Sequence, residues 1–160
     1  MAAHRRMWPV LLSFLVALSL EVTPMPDGMT EARPAWLAMT VVFWAVADPR
    51  RYGLGFAWFF GLLMDVLKGA ILGQHALALS VVAFIALKFR QRIRVFPIWQ
   101  QTVTVTAIVA VYAFLILWID GLTSDVSIEP ERALPVAATL VLWPLLSGLF
   151  GWARRHLRVA

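Results

Sequence analysis

Asp65 and Lys68 stand inside an otherwise apolar run over residues 53–77, GLGFAWFFGLLMDVLKGAILGQHAL, and Gln74 and His75 close it. A carboxylate at mid-membrane costs about 2.5–3.5 kcal/mol on insertion scales and is a functional candidate by default. Spacing of three puts Asp65 and Lys68 on one helical face, where they can pair as ions. Two uses are open: a local ion pair that stabilises a helix end near an interface, or a polar residue lining an outward-facing pocket. Gln74 and His75, at the start of the next helix, can cap it, hydrogen-bond Asp65 or contact a ligand; a structural hydrogen bond is the commoner use.

Glycine gives the same stretch a second pattern. Gly61, Asp65, Gly69 and Gly73 recur every four residues, with Ala57 one step earlier. On a helix this makes a groove of small residues that lets another helix approach closely, which suits Gly61. Gly69 and Gly73 suit a turn over residues 68–73, where glycine's permissive backbone is needed.

Catalysis finds no foothold. His4 and His156 belong to terminal basic clusters, His75 is the sole internal histidine, and no paired carboxylates, HExxH pair or phosphate-binding loop with its lysine is present. No catalytic residue, metal site or cofactor is expected. With no cysteine, disulfides and thiolate metal sites are excluded.

The elements that must position these residues are apolar segments. Of the 160 residues, 61% are hydrophobic and only 14% charged, against about a quarter in soluble domains, and mean hydropathy is +0.79. Long apolar runs with charges confined to the gaps indicate one polytopic, all-α membrane domain. Six spans are expected, at about 7–23, 34–47, 53–68, 72–88, 98–119 and 133–152. The first resembles a signal peptide but lacks a small-x-small cleavage site and is read as an uncleaved span, with Trp8 and Glu21 near its two interfaces. Pro144 should kink the sixth unless a neighbour compensates. Thr102, Thr104 and Thr106 are expected to bond their own helix backbone. Trp58 and Trp143 are expected to pack internally, and residues 120–132 to form a solvated loop.

The net charge is +5 and the pI near 10.7, yet the bases are clustered between apolar runs rather than along one soluble face, which excludes nucleic acid as partner. Six spans put both termini on one side. Eleven of the fourteen Lys and Arg residues lie on that side, which the positive-inside rule makes cytoplasmic. The basic stretch over residues 88–94 suits anionic lipid headgroups or a cytoplasmic protein.

Several pieces together carry a family resemblance: Arg33-Pro34-Ala35-Trp36-Leu37, the GLxxDVLxGxxLGQHAL reading from Gly61, Arg94-Val95-Phe96-Pro97-Ile98-Trp99-Gln100-Gln101, and Leu142-Trp143-Pro144. They resemble the rod shape-determining MreD family of Gram-negative bacteria. The resemblance implies a non-enzymatic inner-membrane scaffold or regulator of the elongation complex. It would pair with MreC and act with MreB, RodA and a class B penicillin-binding protein in lateral-wall peptidoglycan synthesis. It also implies a fold similar to the substrate-binding subunits of energy-coupling-factor transporters, six-helix bundles with an outward pocket, here around Asp65, Gln74 and His75. A partner's transmembrane helix would dock on the small-residue or kinked surfaces at Gly61 or Pro144. The alternatives are a small-molecule-binding or uptake subunit, and a lipid-binding or flipping protein with a lateral opening.

Overall fold

A computed structural model describes residues 7–29, 33–124 and 129–156. The expected basic residues Arg5, Arg6 and Arg158, with His4 and Asp125, lie outside the described residues. Six α-helices and one 3-10 turn make up the described fold: α1 Trp8–Val22, α2 Trp36–Ala47, α3 Leu54–Lys68, α4 Gln74–Val95, α5 Ile98–Thr123, the turn Pro130–Ala133, and α6 Leu134–His156. The all-helical, six-helix architecture expected from the apolar runs is present.

Two boundaries differ in an informative way. α4 does not stop at the basic stretch but continues through it to Val95, because Lys and Arg are good helix formers and nothing breaks the helix before Pro97. α5 likewise runs on to Thr123, so Asp120, expected in a solvated loop, sits on a helix.

α2 lies at the centre. Nine of its twelve residues are buried, on all sides of the helix, as expected of a core element. It packs against α1, α4, α5 and α6. α4 packs with small side chains, since Ala76, Ala78, Ala83 and Ala86 are wholly buried. Trp44 of α2 donates its Nε1–H to Ser13 Oγ at 3.0 Å, which fixes α1 beside it. Trp143 is buried as expected, but Trp58 is exposed, because the α3 face it occupies meets no other helix. The three threonines of α5 bond the carbonyls of Ile98, Gln100 and Thr102 in their own helix.

α5 and the segment Pro130–His156 are both long and apolar enough to cross a membrane. α6 lies at the edge, with only Thr139 and Trp143 buried. Pro144 falls inside α6, which continues past it to His156, and Ser147 Oγ donates to the Pro144 carbonyl at 3.0 Å.

The closest-packed unit is the α3–α4 hairpin. α3 ends in a Schellman turn, with Ala70 N–H donating to the Asp65 carbonyl at 3.0 Å and Gly69 N–H to that of Val66 at 3.4 Å. Gly69 (φ 62°) and Gly73 (φ 99°) supply the positive dihedrals of the connection. Gly73→Ala should therefore destabilise the protein by about 1–2 kcal/mol without steric conflict, since nothing lies within 4 Å of the added methyl. A lowered thermal midpoint of the detergent-solubilised protein checks this.

Candidate functional site

The site is built on helix starts that lack caps of their own. The first amides of a helix have no intrahelical acceptor, and Ser, Thr, Asp or Asn usually supplies one. α4 begins after Gly73 and α2 after Ala35, and neither residue offers a side-chain acceptor. In both cases the carboxylate comes from the end of the preceding helix.

Asp65 does this for α4. Its Oδ2 accepts the N–H of Gly73 at 2.9 Å and of Ala76 at 3.4 Å, and its Oδ1 accepts the N–H of His75 at 2.9 Å. The Oδ1 also lies 2.8 Å from His75 Nδ1. An acceptor-only carboxylate matches four such donors when the imidazole carries its proton on Nδ1, which leaves Nε2 as an acceptor. The positive end of the α4 dipole favours the negative charge at that point. Asp65 is thus fully enclosed, and spent on a helix start.

Of the two uses left open for Asp65, the ion pair with Lys68 is not what forms. Lys68 Nζ lies 3.9 Å from Glu21 Oε1 of α1 instead. The chain reverses directly after Lys68, so the amides of α4 meet Asp65 from the side and give it more donors than one ammonium could.

Glu21, expected near an interface, is buried and plays the matching part for α2: its Oε2 accepts the Leu37 N–H at 2.9 Å. Arg33 completes the corner from the other side. Its two terminal nitrogens donate to the carbonyls of Glu21 and Thr23, the orphaned acceptors at the end of α1. Sequence reasoning passed over Glu21 and Arg33. The signal was available: an acid late in an apolar run, followed by a helix whose start carries no capping side chain.

Gly61 makes the Asp65 geometry possible. A Cβ there would lie 2.3 Å from Ala76 Cα and 2.6 Å from Ala76 N, so α4 crosses α3 backbone to backbone. One turn further along α3, Asp65 then reaches the α4 amides. Gly61 thus serves the close helix packing expected of it, with α4 of the same chain as the helix that approaches.

Gln74 turns away from Asp65. Its Nε2 donates to Asp120 Oδ1 at 2.6 Å, and Arg132 Nη1 lies 3.7 Å from Asp120 Oδ2, which ties the start of α4 to the end of α5 and the approach to α6.

These interactions surround a cavity of about 360 Å³. Glu21, Arg33, Lys68, His75 and Arg132 form its polar wall, and Val109, Tyr112, Ala113 and Ile116 of α5 its less polar one. The pocket expected around Asp65, Gln74 and His75 is therefore composed differently. His75 is on this wall, Asp65 is enclosed and holds His75 in place, and Gln74 lines a neighbouring cleft with Lys68 and Asp120. Among the described residues, no group of three or more His, Cys, Asp or Glu could hold a metal ion.

Comparison with known proteins points one way. A family model described as rod shape-determining protein MreD matches residues 4–152. The rod shape-determining protein MreD of Haemophilus influenzae is 31% identical over 153 residues, covering 95% of this chain and 94% of its own length. No solved structure matches the chain at a significant level.

Proposed function

The chain belongs to the MreD family of rod shape-determining proteins, and from that premise we propose a multi-pass scaffold of the bacterial inner membrane that pairs with MreC. Its role lies in rod-shape determination; the partnership, the membrane topology and the link to peptidoglycan synthesis are our reading. In that reading MreC is the direct partner, and RodA, a class B penicillin-binding protein and MreB act in the same complex. Both termini are cytoplasmic, as the clustering of bases favours. The bundle is likened to the substrate-binding subunits of energy-coupling-factor transporters. We read the protein as non-enzymatic, because its buried carboxylates Asp65 and Glu21 are spent on helix starts rather than paired for acid–base work.

One observation carries the scaffold reading. α6 is apolar enough to span a membrane, yet the protein covers very little of it. Val141, Pro144, Leu145 and Gly148 form one exposed stripe along it, at the three- and four-residue spacing of a helix face. Nothing lies within 4 Å of the position a Gly148 side chain would take. Helices in lipid associate by close packing at small residues, so this stripe suits the transmembrane helix of a partner. With Gly61 occupied by α4, the Pro144 surface is the docking face that remains of the two expected.

Co-expression and affinity purification in a mild detergent test this. MreC should be recovered with the wild-type protein, and Gly148→Leu should reduce recovery at least about tenfold, a loss of about 1.4 kcal/mol, while leaving the thermal midpoint unchanged. Absence of MreC from wild-type preparations in every mild detergent would sink the pairing.

A further inference from the structure

The 360 Å³ cavity has a use that helix capping does not exhaust. Three cations, Arg33, Lys68 and Arg132, stand on its wall against one carboxylate, Glu21. Two more acids lie nearby: Asp65, which is engaged by the α4 amides and His75, and Asp120, whose Oδ1 accepts from Gln74 and whose Oδ2 faces Arg132.

The cations retain donors. Lys68 is 3.9 Å from Glu21, and Arg132 is 3.7 Å from Asp120, both beyond hydrogen-bond distance. Arg33 bonds backbone carbonyls through its two terminal nitrogens, while its buried Nε has no acceptor among the described residues. Buried donors are normally satisfied, so an orphaned guanidinium nitrogen beside two under-used cations calls for an acceptor-rich group. Guanidinium forks match phosphate and carboxylate oxygens in particular.

The opposite wall is of another kind. Val109, Ala113, Ile116 and Leu117 recur along one face of α5 and present apolar surface to the cavity. Charge on one side and hydrocarbon on the other is the layout for a molecule with an anionic head and an apolar arm. The volume lies at the low end of ligand pockets, roughly 300–1,000 Å³, so it suits a head and a single short arm.

We propose that this cavity binds a small anionic amphiphile, its phosphate or carboxylate oxygens held by Arg33, Lys68 and Arg132 and its apolar arm laid along α5. The site goes beyond partner docking, since it lies apart from the exposed stripe of α6 and can exist whether or not MreC binds.

The test is a thermal-shift titration of the full-length protein in an uncharged detergent. Four probes are compared: single-chain lysophosphatidylglycerol, laurate, zwitterionic lysophosphatidylcholine, and tail-less glycerol 3-phosphate. The anionic amphiphiles should raise the midpoint saturably and lysophosphatidylcholine should not. Arg132→Gln is the main variant, because the Arg132 side chain is partly exposed and reaches Asp120 rather than a helix-end carbonyl. It should weaken apparent affinity about tenfold or more, with the unliganded midpoint unchanged, and Lys68→Gln should act in the same direction. Arg90→Gln, on the basic end of α4, should have no effect.

Equal response to charged and zwitterionic lipids would overturn the proposal. So would wild-type affinity in both Arg132→Gln and Lys68→Gln, or an equal loss in Arg90→Gln, which would place binding on the basic surface. Glycerol 3-phosphate binding as tightly as lysophosphatidylglycerol would assign the cations to a free phosphate and overturn the role given to α5.

Discussion

Asp65→Ala is expected to cost at least about 3 kcal/mol of stability, because several buried donors, each costing about 1–3 kcal/mol when unsatisfied, lose one shared acceptor. Three backbone amides and an imidazole N–H would lose their acceptor together, at a place fully closed to solvent. A buried donor without a partner costs about 1–3 kcal/mol, so even partial relaxation leaves a large deficit. The thermal midpoint of the detergent-solubilised protein reads the loss. Asp65→Asn should recover only part, because its amide oxygen can accept while its NH₂ confronts amide donors. Lys68→Ala is the discriminating companion and should be much milder, since Lys68 is partly exposed and sits 3.9 Å from Glu21. Equal damage from Lys68→Ala and Asp65→Ala would refute the capping account and restore the helix-surface ion pair.

Gly61→Ala should be nearly as severe, for a steric reason with the same consequence. The added carbon would fall 2.3 Å from Ala76 Cα, 2.6 Å from Ala76 N and 2.9 Å from the His75 carbonyl carbon. All three are backbone atoms, so no side chain can swing aside and α4 must move as a body. Overpacking of this kind costs about 1–3 kcal/mol, and a rigid backbone obstacle puts it at the upper end. The displacement also pulls the start of α4 from Asp65, so the two changes share a mechanism. A double-mutant cycle should therefore be sub-additive, with a coupling of about 0.5–3 kcal/mol. Strict additivity would mean that the close approach at Gly61 and the carboxylate cap are independent.

Much of the fold was legible because it follows from local rules. The apolar runs marked six helices, and the positive dihedrals of Gly69 and Gly73 fall in the connection where a tight turn was expected. The end of α4 was not legible, since a charged stretch that leaves an apolar run looks like a boundary although Lys and Arg favour helix as much as many apolar residues do. Trp58 shows the converse: burial depends on which faces meet a neighbour, and its face of α3 meets none.

The candidate site divides the same way. Residues 53–77 drew notice as a carboxylate in an apolar run punctuated by glycine, and that stretch does hold the tightest helix pairing in the molecule. The hydrogen bond from His75 to Asp65 was one of the uses the sequence left open and it forms, whereas the ion pair with Lys68, only three residues away, does not. Glu21 and Arg33 were passed over for a related reason, as each acts on a helix end that only the folded chain brings beside it.

The sequence alone determined the family, the helical class and the places where the chain must turn, because composition, period and glycine conformation act over a few residues at a time. Tertiary structure alone decided that Asp65 caps α4, that Glu21 caps α2, and that Lys68, Arg33 and Arg132 share one cavity. A buried carboxylate goes to the geometry that offers it the most donors, and the richest local source was the uncapped start of another helix, whose position is set only when the helices pack.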